Sequence, residues 1–97
     1  MDFHFDLNGE SFVWDVAKAE RNWRKHGIRF EEAAGVFFDP LFVLAEASRN
    51  EEARYAAIGF DAVGRLLYVV HVEIEDVCIR IVSARRTEPE EEVRYAE

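Results

Sequence analysis

The sequence predicts a single α+β domain, and three observations carry that reading. An Asn-Gly pair divides two alternating aromatic runs, two amphipathic segments meet at Gly27, and four apolar runs separated by short turn signals follow Pro40. A chain of 97 residues is near the common size of one domain and leaves no room for two separate cores, so residues 1–97 are taken as one unit.

Each element has a local cause. FHFDL and ESFVWD flank Asn8-Gly9, the strongest short-range signal for a two-residue turn, so residues 1–13 form an N-terminal hairpin. Asp15 is placed to cap a helix from Val16 to His26, which Gly27 ends in the left-handed conformation. On it Val16, Ala19 and Trp23 share an apolar face, while Lys18, Arg21, Asn22 and Lys25 make the opposite one. A second helix spans Phe30 to Phe38, with Phe30, Ala33, Ala34 and Phe37 as its stripe, Glu31 and Glu32 at its positive end and Asp39-Pro40 as its stop. Four strands follow, LFVLAEA, ARYAAIGF, RLLYVVHVEI and VCIRIVSAR, with turns at Ser48-Arg49-Asn50, Asp61 to Gly64 and Glu75-Asp76. Short connections imply antiparallel neighbours, and the last two strands are apolar enough to be covered on part of both faces. A short helix, Pro89 to Ala96, closes an antiparallel sheet packed with two N-terminal helices.

Composition narrows the function. The chain is 49% hydrophobic and 13% aromatic, enough to fold without disulfides or metal. Cys78, alone in VCIRIV, reads as a small buried hydrophobe. Neither an apolar run of spanning length nor a signal-peptide pattern occurs, which points to the cytoplasm and away from the membrane. His4, His26 and His71 lack metal-site spacing, no CxxC or HExxH occurs, and the five glycines form no phosphate-cradling loop, so no metal or cofactor is expected. Ser83 lacks a hydrolase context and reads as bonding backbone near a strand end. His71 reads as a satisfied sheet histidine, and Trp14, Trp23 and Phe37 as core. A net charge of −8 argues against a nucleic-acid binder, yet the charge is segregated. Lys18, Arg21, Arg24, Lys25 and Arg29 face one acid, Glu20, whereas Glu88 to Glu97 holds five acids and one base.

The motifs also carry a resemblance. Trp14-Asp15, Lys18, Asn22, Lys25-His26-Gly27, Phe30-Glu31-Glu32-Ala33 and Phe37-Phe38-Asp39-Pro40 are followed by Glu52-Ala53-Arg54, Gly59, Gly64-Arg65 and Arg80-Ile81-Val82-Ser83-Ala84-Arg85. In order and spacing from Phe12 to Tyr95 they resemble the BrnT family of bacterial type II toxins. The resemblance implies a RelE-like ribonuclease fold and an RNA-cleaving toxin that arrests translation. It also implies a BrnA-type ribbon-helix-helix antitoxin in a hetero-oligomeric complex that alone meets operator DNA. The chain departs from the family in its N-terminal hairpin and in its acidic C-terminal segment, RTEPEEEVRYAE.

Metal-independent RNA cleavage needs a base for the 2′-hydroxyl, cations for the charge on the phosphorane and an acid for the leaving 5′-oxygen. His26 beside a basic cluster suits proton transfer, its cationic form favoured at a helix C-terminus; the competing reading is a C-capping histidine. Arg80, inside an apolar strand, needs an anionic partner, either substrate phosphate or an acid such as Glu52 or Asp39. The expected catalytic set is Lys25, His26, Arg65 and Arg80 with Glu52 in support. Lys18, Arg21, Arg54 and Arg85 are expected on the RNA backbone, Arg65 and Arg85 being exposed at a turn and a strand end. The alternative is a non-catalytic module that keeps the fold and the antitoxin interface and acts in operon autoregulation.

Overall fold

The computed structural model describes residues 1–48 and 52–97, so Arg49 and Asn50 of the expected turn lie outside the described residues. Asn8 and Gly9 both take positive φ, 49° and 84°, the requirement of the tight turn that joins β1 (Asp2–Leu7) to β2 (Glu10–Asp15). Asp15 then caps α1 (Val16–His26) by accepting the Lys18 N–H at 3.0 Å, and Gly27, at φ 69°, closes it. The later elements are α2 (Phe30–Ala34), β3 (Val43–Glu46), β4 (Tyr55–Phe60), β5 (Leu66–Ile74), β6 (Cys78–Arg86) and α3 (Pro89–Ala96).

The second helix is shorter than its pattern predicts. It stops at Ala34 and tightens into a 3₁₀ turn, Gly35–Phe38, which rotates Val36 into the core and leaves Phe38 partly exposed. The tighter turn seats against Gly59 of β4, where an added Cβ would lie 2.9 Å from Phe42 Cβ and 3.1 Å from Val36 Cγ1. Asp39 fixes the joint: its carboxylate accepts the Leu41 and Phe60 N–H groups, both at 2.9 Å, and the Tyr95 hydroxyl of α3 at 2.7 Å.

The six strands make one sheet in the order β1-β2-β6-β5-β4-β3. Strands β3 to β6 form the expected antiparallel meander, but the sheet is mixed, because β2 runs parallel to β6 through Phe12 opposite Ile79 and Val13 opposite Arg80. The reason is geometric. The hairpin docks beside the last strand of the meander, where α1 and α2 can cover Phe12, Trp14, Leu67, Val69 and Ile81 on one face. The other face holds a smaller cluster, Ala45, Ala56 and Ile58, under Tyr95. Cys78 is half-buried at the start of β6, next to the β5–β6 turn, and does not sit in the core. Among the described residues no helix is long and apolar enough to cross a membrane.

Asn22 overturns the simple face assignment of α1. It is buried, with its amide donating to the carbonyls of Ile28 (3.0 Å) and Ala84 (2.9 Å) and accepting the Ala84 N–H (3.0 Å). Val16 and Trp23, expected in the core, are instead 44% and 42% exposed; the Arg29 guanidinium covers the Trp23 ring at 4.1 Å. The helix therefore points a polar side chain at the sheet, because a strand edge there has backbone groups to satisfy.

Two outcomes follow. Asn22→Ala strips partners from three buried backbone groups and should lower unfolding free energy in urea titration by about 2–4 kcal/mol; a loss within about 0.5 kcal/mol would show the clamp to be dispensable. Burial pushes the Asp39 carboxyl up, but the bonds from Phe60, Tyr95 and Leu41 outweigh it and hold its pKa below the usual value. A depressed carboxyl stabilises above its unfolded pKa of about 3.9 and loses that contribution as pH falls through the folded value. The stability gap between wild type and Asp39→Asn should therefore hold at neutral pH, begin to close near about pH 5 and go on closing as pH falls through the depressed folded value; a gap independent of pH would contradict the assignment.

Candidate functional site

The Asp15 cap sets the phase of α1 and so decides which side chains line up. Lys18, Arg21 and Lys25 fall on one flank, and Asn22 and His26, one turn apart, lie between them and the sheet. The Asn22 clamp then brings this flank against β6. Opposite it, pairing between β5 and β6 slips between Val70 and His71, so that Val82 has no partner between Ile81 and Ser83. The bulge supplies the second wall of an open groove of about 310 Å³, lined by Lys18, Arg21, Asn22, Lys25, His26, Val82 and Ser83.

Charge in the groove is uncompensated. Among the described residues Lys18, Arg21 and Lys25 form no ion pair, whereas Arg24, on the far flank, pairs with Glu20. The surroundings of His26 oppose the imidazolium that a helix end would favour. Partial burial, then the positive charges of Lys25 and Arg85, hold its pKa below the usual value. Nor is His26 the cap: Gly27 N–H bonds Trp23 O at 2.9 Å, and the His26 ring makes no hydrogen bond among the described residues. A neutral imidazole beside three free cations can accept a proton next to an anionic substrate. Ser83 makes no backbone bond through its hydroxyl among the described residues and lines the groove instead.

The remaining predicted site residues do not line this groove, and each is held in an ion pair. Arg80 makes two bonds to Asp2 across β2, at 3.2 and 2.9 Å; its partner is neither Glu52 nor Asp39. Arg65 is not an exposed turn cation, since its Nε donates to the buried Asp61 at 2.8 Å and its Nη2 lies 2.7 Å from Asp61 and 3.2 Å from Glu32 as ion-pair contacts. Asp61 also accepts the Val63 and Arg65 N–H groups, which makes this triad a lock on the β4–β5 turn. Glu52 pairs with Arg54 at 2.6 Å beside the far edge of the sheet. Arg85 is partly buried, lies 4.3 Å over the Tyr68 ring and binds Glu91 of α3 through two bonds.

Two other features carry less chemistry. His71 is buried, bonded through Nδ1 to Val69 O at 3.1 Å and set edge-on to Phe37, a sheet histidine within the core. A hollow of about 430 Å³ on the other flank of α1 is walled by Phe3, Trp14, Val16, Trp23 and Phe30 and contains no histidine. Asn22 and Ser83 are the site residues that sequence reasoning missed. Asparagine amid a basic stripe was the available signal for the first; the bulge that exposes the second leaves no mark in the sequence.

The crystal structure of the Brucella abortus ribonuclease toxin BrnT resembles this fold with a TM-score of 0.58 at 19% identity, over 77% of this chain and 92% of that one. No curated protein matches the chain. A family model described as the ribonuclease toxin BrnT of type II toxin-antitoxin systems matches residues 14–91, a span that includes every residue of the groove and omits the N-terminal hairpin before Trp14. The chain therefore belongs to the BrnT family of type II toxins.

Proposed function

We propose that this protein is an endoribonuclease toxin of RelE-like fold that cuts RNA by metal-independent acid–base chemistry in the groove between α1 and β6. The observation that carries the reading is His26, neutral and free of hydrogen bonds among the described residues, beside the unpaired Lys18, Arg21 and Lys25. The RNA backbone follows the stripe Lys18, Arg21, Lys25, whose charges hold successive phosphates. His26 takes the proton of a 2′-hydroxyl. The 2′-oxygen attacks the adjacent phosphorus, the P–O5′ bond breaks, and a 2′,3′-cyclic phosphate is left. Lys25 offsets charge on the phosphorane and supplies the proton collected by the 5′-oxygen. In this reading Arg65, Arg80, Glu52 and Arg54 serve the framework through their ion pairs, and Arg85 is the cation nearest to joining the groove.

The toxin acts in the cytoplasm to arrest translation, and a BrnA-type antitoxin neutralises it in a hetero-oligomeric complex that reaches operator DNA through the antitoxin. A second reading, a toxin-like module that acts only through such complexes, is favoured by one specific observation: Arg65, Arg80 and Arg85 are each neutralised by an acid of the same chain.

Kinetics test the chemistry directly. The rate kcat/KM on a short fluorogenic RNA should rise with pH to a plateau through an apparent pKa below the imidazole norm of about 6.5. His26→Gln should remove that limb and lower the plateau by about 10²–10⁴. An unchanged profile would end the assignment of His26 as base. In cells, induction of the chain alone should arrest growth and degrade total RNA, and His26→Ala and Lys25→Ala variants verified as folded by circular dichroism should spare both; intact RNA with soluble wild-type protein would favour the second reading.

A further inference from the structure

Arg85 is built as an anion receptor, and its ligand here comes from the chain itself. Tyr68 supports the guanidinium from below at 4.3 Å, while Nη1 and Nη2 donate side by side to Glu91 Oε1 and Oε2 at 2.9 and 2.8 Å. That paired geometry fits two non-bridging oxygens of a phosphate as well as it fits a carboxylate. Arg85 stands two residues along β6 from Ser83 of the groove, close enough for its charge to act on His26.

The helix that delivers Glu91 is lightly held. No residue of α3 is buried, and among the described residues its other side-chain ties are the Tyr95 hydroxyl on Asp39, the Tyr95 ring edge-on to Phe60 and against the Ala45, Ala56 and Ile58 cluster, and a 3.5 Å bond from Thr87 to Glu92. Its first turn carries Glu90, Glu91 and Glu92, so docking it brings negative charge to Arg85 at the end of β6. The pair is bidentate and partly buried, so a single anion competes with it poorly, whereas a polyanion that brings several phosphates at once can displace it.

We propose that Glu91 occupies the place of a substrate phosphate on Arg85, so that α3 is a built-in competitor of RNA and must undock for the groove to take its full ligand. The proposal rests on the groove being an RNA site. Docked α3 lowers the apparent affinity by the fraction of molecules in which Arg85 is occupied, and a long RNA recovers it by displacing the helix.

The test uses the whole chain and a short 2′-O-methyl RNA that binds without being cut, which separates binding from catalysis. Glu91→Gln keeps the side chain's shape and an acceptor for the Glu88 N–H but removes the charge. It should tighten the dissociation constant about fivefold or more, and the gain should vanish in an Arg85→Gln background. In wild type, hydrogen exchange of the α3 amides should quicken when the RNA binds, a readout that holds even if Glu91→Gln folds poorly. Tighter binding by Glu91→Gln alongside uncut 2′-hydroxyl RNA would support the competitor and remove the nuclease reading. Binding no tighter in the folded variant, or α3 amides equally or better protected with RNA, would make the Arg85–Glu91 pair a structural tie and overturn the proposal.

Discussion

One asparagine amide sets the geometry on which the rest of this protein depends. Strand β2 pairs with β6 only at Ile79 and Arg80 and then leaves the sheet at Asp15 to become α1. Past that point the edge of β6 has no neighbouring strand, and an unpaired buried edge costs about as much as the hydrogen bonds it lacks. Asn22 fills the gap. Its amide bonds both the N–H and the C=O of Ala84, as a strand would, and its second amide hydrogen bonds Ile28 O beyond the helix end. One side chain thus joins α1, the α1–α2 connection and β6, and it satisfies three backbone groups that no apolar residue could.

The groove between α1 and β6 is a consequence of that clamp. A helix anchored at Asn22 must present the residues one turn away, Lys18 and His26, beside the same strand edge, with Arg21 and Lys25 at the rim. The bulge at Val82 sits where the sheet gives way to the helix, so groove and bulge arise from one change of partner along β6. Burial at the joint then depresses the pKa of His26 and leaves it neutral, which a fully exposed helix end would not do.

Local signals were legible in the sequence, and long-range pairings were not. The Asn8-Gly9 turn, the Asp15 and Gly27 caps, the bounds of α1 and α3 and the meander order all follow from residues within one turn of each other. The parallel docking of β2 on β6, the burial of Asn22 and the Arg80–Asp2 pair join residues 60 to 80 positions apart, and nothing local encodes them. The shortened second helix shows tertiary override: its stripe is helical in period, but the seat at Gly59 favours a tighter turn. In the groove, Lys18, Arg21, Lys25 and His26 were visible as a stripe with a histidine. That Arg65 and Arg80 would be held elsewhere was not, because a guanidinium's partner is set by the fold.

Net charge does not describe the groove, for a reason the structure makes plain. The acids that produce −8 are spread over the surface or spent on arginines: Asp2 on Arg80, Asp61 and Glu32 on Arg65, Glu91 on Arg85. What an approaching polyanion meets within a Debye length of about 8–10 Å is set by nearby uncompensated groups, not by the total. Along α1 those groups are three cations, because helical phase moves Glu20 to the far flank and pairs it there with Arg24. An acidic protein can therefore keep a basic groove, provided one helix segregates its charges and one buried amide fixes which side of that helix faces the sheet.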